Sequence, residues 1–289
     1  MPDFGIFRGF NDKLFGNKLY AGQLPTQLGL IGSDDFGFDA DAQAFFDRVT
    51  IAGGSLSATE KLAVNKLVLD LKGYSIWAKM KAIYPMVGAS SAACAQNLKS
   101  SSFTGTFTSG WTFASTGVTP NGTSAYMNTS FNLSSQIGAN PLSLSFYSRT
   151  NNILAQGDIG CYNNPAGTTD NEILINYSGA FYGFNSPSKY VQATNTDSRG
   201  FYQLNAQGLN LKAFKNSSQF GTTVSLTTYT STNANVYVGG INNNGTLVTP
   251  SSKECAFSSI GDGLTDTQAS NFYTAVQAFQ TTLNRQIAP

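Results

Sequence analysis

Leu142-Ser-Leu-Ser-Phe-Tyr-Ser148 alternates apolar and small polar residues. Successive side chains of a strand point to opposite sides, so Leu142, Leu144 and Phe146 share one side while Ser143 and Ser145 share the other. That is the pattern of a strand with one buried and one wet face. Short alternating or aromatic runs bounded by Gly, Asn, Ser and Pro recur at 103–108, 111–115, 124–130, 153–160, 172–177, 179–184, 200–206, 209–215, 223–229, 235–241 and 254–260. About twelve strands at this spacing predict a mainly β chain built as an antiparallel β-sandwich of jelly-roll type.

The flanks of this region read as helices. Downstream, Thr265 and Gln268 form a T-x-x-Q capping box ahead of a helix over 266–285. Ala269, Phe272, Val276, Phe279 and Leu283 stripe one side of it, a face expected to cover a sheet or an adjoining subunit. Upstream, Asp39 or Asp41 can cap a short helix carrying Phe45, Phe46 and Val49, which Gly53-Gly54 ends. Ser57 and Glu60 make another capping box before Val64, Leu67, Val68 and Leu71. Ile76, Trp77, Met80, Ile83 and Tyr84 then suit a third helix, closed by Pro85.

Charge thins out after these helices. Residues 1–99 hold 19 of the 33 charged residues, so a boundary is expected near residue 100. The chain divides into an aromatic and Gly-rich arm over 1–37, a small helical region over 38–99 and a sandwich over 100–289. Phe4, Phe7, Phe10, Phe15 and Tyr20 on the arm cannot bury themselves locally. They pack on their own domain, dock as anchor contacts into a partner protein or neighbouring subunit, or touch a membrane.

Composition excludes much chemistry. Without histidine there is no Ser-His-Asp triad, Cys-His dyad or His-ligated zinc. A net charge of +1 gives no footprint for nucleic acid. No apolar stretch suits membrane insertion, and the N-terminus carries no signal-peptide pattern, so assembly in a cytoplasm is expected. Cys94, Cys161 and Cys255 are too scattered for a disulfide framework and read as buried thiols. Ser, Thr and Asn supply 86 residues, a hydroxyl-and-amide surface that, with aromatic rings, permits glycan binding.

No catalytic or metal-ligating residue is assigned, and no cofactor. Asp170-Asn-Glu172 is the nearest approach to a glycosidase carboxylate pair, but it follows the turn-like Asn163-Asn-Pro-Ala-Gly167 and reads as a surface loop. Asp39-x-Asp41 opens like a calcium loop, yet Ala44 stands where the turn needs glycine and Thr50 where a bidentate Glu belongs, so these acids read as helix-start residues. The glycan-binding residues are left unassigned.

Several runs taken together carry a family likeness: 71–88, Gly110-Trp-Thr-Phe-Ala-Ser-Thr-Gly-Val-Thr-Pro-Asn-Gly122, Ser145-Phe-Tyr-Ser-Arg149, Val236-Tyr-Val-Gly-Gly-Ile-Asn242 and 254–265. Over roughly 38–288 the chain resembles structural proteins of tailed bacteriophages that carry a concanavalin A-like lectin/glucanase (LamG-like) sandwich. The resemblance implies a virion component, such as a tail or head fibre or a decoration protein, partnered by other virion proteins, often homotrimeric and in contact with host surface polysaccharide. Glucanases of the family depend on clustered acids, and this sequence departs from them there. The expectation is therefore a non-enzymatic host-contact protein of the virion, with a particle-stabilising decoration protein and a capsule depolymerase as the alternatives.

Overall fold

The computed structural model describes residues 37–163 and 169–288; the arm residues Phe4, Phe7, Phe10, Phe15 and Tyr20 lie outside them. In chain order the described residues form α1 (Ala40–Ile51), α2 (Ala58–Gly73), a 3-10 turn (Trp77–Lys79), β1 (Met80–Tyr84), α3 (Ser91–Cys94), β2 (Thr106–Phe107), β3 (Trp111–Ala114), β4 (Gly117–Pro120), β5 (Met127–Asn132), α4 (Leu133–Gln136), β6 (Leu142–Ser148), β7 (Ile159–Asn163) and β8 (Thr169–Tyr177). There follow β9 (Ala180–Ser186), β10 (Lys189–Thr194), β11 (Gly200–Gln207), β12 (Asn210–Lys215), β13 (Ser218–Gln219), β14 (Val224–Ser225), β15 (Asn235–Val238), β16 (Ile241–Asn243), β17 (Thr246–Val248), β18 (Cys255–Asp262) and α5 (Asp266–Thr282).

The strands make two sheets of nine, as the alternating pattern predicts. The first runs β13-β12-β11-β6-β18-β4-β3, with β1 added on β18 and β14 on β12. The second runs β10-β9-β8-β7-β15-β5-β2, and the β16–β17 hairpin joins it by a short parallel pairing with β7. Leu144, Phe146, Ile173, Ile175, Phe181, Val236 and Ile260 fill the space between the sheets.

A second core lies on the other side of the first sheet. Phe45, Leu67, Val68, Phe272, Val276 and Phe279 from α1, α2 and α5 pack there against Tyr147, Phe201 and Phe257. The serine side of β6 is therefore not wet: all seven of its residues are buried. Ser145 and Ser259 hydrogen-bond each other at 2.6 Å beneath the helices, where small side chains let the helical layer come close. Both capping boxes form, Glu60 N–H donating to Ser57 Oγ at 3.2 Å and Gln268 N–H to Thr265 Oγ1 at 3.2 Å. Asp39 caps α1 and also pairs with Lys72 at 2.6 Å, so the helix-start assignment holds for it.

The expected third helix is instead the 3-10 turn followed by β1. Met80 and Ile83 face the helical core while Ala82 and Tyr84 face the inter-sheet core. Both sides of β1 are buried apart from the half-buried Lys81, and so short an apolar run cannot be told from a buried helix by spacing. Because β1 is hydrogen-bonded to β18, the helical segment and the sandwich share a sheet.

The three thiols are buried. Burial pushes Cys94 up to about 12 and holds Cys161 and Cys255 far above the ordinary thiol range.

Candidate functional site

The outer face of the second sheet is the open one. Along β9, half-buried residues alternate with buried ones, as expected when one side meets the core and the other solvent. In β8, Ile173 and Ile175 point into the core, which leaves Asp170, Glu172 and Leu174 on the outer side. Strict alternation would then send Asn176 outward and Tyr177 inward. A bulge prevents this: Leu174 pairs with Tyr182 and Tyr177 with Ala180, so two residues of β8 oppose one of β9. Leu174 and Tyr177, three apart, thereby share the outer face.

The bulge is held by hydrogen bonds. Ile175 N–H donates to Asp158 Oδ2 at 2.8 Å, and Asn195 Nδ2 donates to the Ile175 carbonyl at 2.6 Å. Asn176 donates to the Asn195 carbonyl at 2.7 Å and accepts from Gly179 N–H at 2.8 Å. The two-residue turn Ser178-Gly179 has both φ values positive, +55° and +94°, which matches the right-handed twist of the strands it joins.

The outer face carries a sheet of rings. Tyr182 and Phe184 on β9 stack at 6.0 Å, Phe184 meets Tyr190 of β10 at 5.0 Å, and Tyr177 meets Tyr182 edge-on at 6.3 Å. With Tyr162 of β7, Leu174 and Thr249, three of these rings, Tyr177, Tyr182 and Phe184, border a cleft of about 360 Å³ whose lining also includes Asp170 and Glu172. Two other surface cavities, of about 380 and 470 Å³, lie at the starts of α5 and α2, and neither is lined by an aromatic residue.

The carboxyl groups are the unusual part. Asp170 and Glu172 are each 8% exposed, and Asp170 Oδ1 and Glu172 Oε2 have no hydrogen-bond partner. Across the ladder, Tyr162 faces Asp170 and Gly160 faces Glu172. A Cβ at Gly160 would lie 2.5 Å from that of Glu172, and its φ of +146° favours glycine, so this position leaves room for the acid. Among the described residues neither lysine nor arginine lines the cleft. Burial pushes Asp170 up to about 7; burial, and then the Asp170 charge, holds Glu172 well above the carboxylate range. Tyr162 is raised by burial and by the same two acids.

These shifts set a pH dependence of stability. Folding raises both pKa values, so the contribution is complete below about pH 4, where folded and unfolded chains are alike protonated. It is lost as pH rises through the folded-state value of about 7. Urea denaturation is expected to give a lower stability at pH 8 than at pH 5, and the D170N/E172Q variant a flatter profile; an unchanged slope in the variant would refute the assignment.

The sequence-based placing of Asp170-Asn-Glu172 on a surface loop is thus corrected. The segment is the first half of β8, paired residue for residue with β7, and its two acids sit together in the cleft. The turn residues that argued for a loop lie before the strand, and 164–168 are outside the described residues. The aromatic residues of the face were not singled out from sequence. Their signal was present in Tyr182-x-Phe184, whose spacing of two puts both rings on one side.

No protein-family model and no curated protein matches the chain. Among solved structures it is similar to domain 4 of AbnA, a GH43 extracellular arabinanase from Geobacillus stearothermophilus, at 13% identity and a TM-score of 0.48 over 67% of this chain and 98% of that one. It is similar to the CBM40 of the Ruminococcus gnavus IT-sialidase bound to α2,3-sialyllactose, at 18% identity and a TM-score of 0.34 over 47% and 87% of the two chains. A mutant Trypanosoma rangeli sialidase displaying trans-sialidase activity matches at 8% identity and a TM-score of 0.44 over 74% of this chain and 39% of that one. Identities of 8–18% and TM-scores below 0.5 leave function to be argued from the cleft itself.

Proposed function

We propose that the protein is a carbohydrate-binding β-sandwich that engages its ligand on the outer face of the second sheet. The observation that supports this is the layer of rings bordering a cleft whose floor holds two carboxyl groups. Rings pack on the apolar C–H faces of sugars, and carboxyl oxygens hydrogen-bond their hydroxyls. Loss of Tyr182 and Phe184 together (Y182A/F184A) is expected to weaken binding to host surface polysaccharide tenfold or more, at about 0.5–1.5 kcal/mol per ring beyond lost area. Affinity electrophoresis with circular dichroism as a folding control measures this, and unchanged retention of a folded variant would sink the proposal.

The setting proposed for this binding is a tailed-phage particle, where the protein acts without catalysis. It rests on the sequence resemblance and on the aromatic arm, and requires that incorporation into particles fail once residues 1–37 are deleted. A hydrolase is the second reading, favoured by one observation: Asp170 and Glu172 share a strand face in the cleft and burial raises both, so a carboxyl there can hold the proton that glycoside cleavage needs. New reducing ends from bound polysaccharide, lost in E172Q, would establish it; their absence between pH 5 and 8 leaves binding alone.

A further inference from the structure

Resting on the carbohydrate-binding reading above, we infer that the ligand of this cleft carries an ammonium group: it is a glycan with free amino sugars. Asp170 and Glu172 place two carboxyl groups two residues apart on one strand face, roughly 6.6 Å along the chain. Each presents an oxygen without a partner, Asp170 Oδ1 and Glu172 Oε2, although both residues are more than nine-tenths buried. Buried acids of this kind ordinarily face an arginine or a lysine. Here the remaining lining consists of Tyr162, Leu174, Tyr177, Tyr182, Phe184 and Thr249, so among the described residues the cleft walls supply no counter-charge.

An ammonium fits what is missing. It brings three N–H donors for the oxygens of the two acids, its charge favours their ionised form, and it is attracted to the faces of the surrounding tyrosine rings. The sugar ring that carries it offers C–H faces to the same aromatic layer. The other ligand classes fit less well. A uronic or sialic acid would bring an anion to a cleft that offers it no cation among its described lining. A neutral sugar leaves the pair without a cation. A calcium ion takes six to eight oxygen ligands, more than two carboxyls and one threonine hydroxyl provide.

The test is calorimetry of the full chain at pH 7, where Asp170 is about half ionised, with two tetramers, one of glucosamine and one of N-acetylglucosamine. These share a backbone, and acetylation removes the charge. The glucosamine tetramer is expected to bind at least tenfold more tightly. D170N/E172Q, which keeps the shape of both side chains, is expected to erase that preference, so that the two tetramers bind alike. Equal affinity for the two tetramers in the wild type would overturn the inference, as would failure of the glucosamine tetramer to bind, a preference that survives in D170N/E172Q, or binding that requires added calcium. None of these outcomes bears on retention of host polysaccharide by the wild type and its loss in Y182A/F184A, which tests the carbohydrate reading separately.

Discussion

Replacing Arg285 with alanine is expected to remove at least about 4 kcal/mol of stability, a large share of the ~5–15 kcal/mol typical of a domain. The guanidinium is 1% exposed. It donates to the Met86 carbonyl at 2.6 Å, to the Pro85 carbonyl at 2.7 Å, to the Ala256 carbonyl at 2.9 Å and to Gln280 Oε1 at 2.5 Å. No carboxylate pairs with it among the described residues; its positive charge is met by these oxygens and by the Phe279 ring, 5.2 Å away. Burial pulls its pKa down to about 10, which still leaves it charged at neutral pH. One side chain thus ties the end of β1, the start of β18 and the last turn of α5. Alanine would strand the Pro85 and Met86 carbonyls and Gln280 Oε1 at once, each worth about 1–3 kcal/mol, while the Ala256 carbonyl keeps Gln280 Nε2 at 3.3 Å. Lysine, a single point donor, should recover only part of the loss. Urea unfolding at pH 7 measures both variants, and a loss below about 1 kcal/mol for R285A would show that water replaces the guanidinium freely.

Asp158 should rank next, with an asymmetry that identifies its role. Asp158 and Lys253 are both fully buried, and Lys253 Nζ lies 3.4 Å from Asp158 Oδ1 in an ion pair without hydrogen-bond geometry. Lys253 Nζ has no hydrogen-bond partner, whereas Asp158 also accepts from Ile175 N–H at 2.8 Å and from Ser251 Oγ at 2.7 Å. D158N therefore leaves a buried ammonium alone and is expected to cost about 3–5 kcal/mol. K253M leaves an acid that keeps two donors, so its cost should be smaller. The double variant D158N/K253M should recover much of what D158N loses, and additive losses in a double-mutant cycle would argue against the pairing. Because Ile175 belongs to the β8 bulge, D158N should also loosen the placement of Tyr177 over the cleft.

Much of the scaffold is legible in the sequence because its signals are local. The alternation of Leu142–Ser148, the boxes Ser57/Glu60 and Thr265/Gln268, and the stripe from Ala269 to Phe279 each depend on near neighbours, and each appears where expected. What was misread depends on layers. Nothing in Ser143 or Ser145 says that a helix will cover them, and nothing in Met80–Tyr84 separates a doubly buried strand from a helix turn. Strand β10 escaped notice because Lys189-Tyr-Val-Gln-Ala-Thr194 lies in the half-exposed outermost position of its sheet, with little apolar contrast. The candidate site was hidden for a related reason. Asp and Glu are depleted in strands, so acids beside a turn signal argue for a loop. Only the pairing of β8 with β7 and β9 reveals that they lie among rings.

The buried cysteines turn the protein into a scaffold without sulfur background for labelling. All three thiols of the sequence are shielded and hard to ionise, so alkylating dyes should pass over the native fold. A single cysteine introduced at the exposed turn between β9 and β10, Ser188→Cys, would then be the one reactive thiol. It stands two residues before Tyr190, and an environment-sensitive fluorophore there would report occupancy of the aromatic face on intact protein.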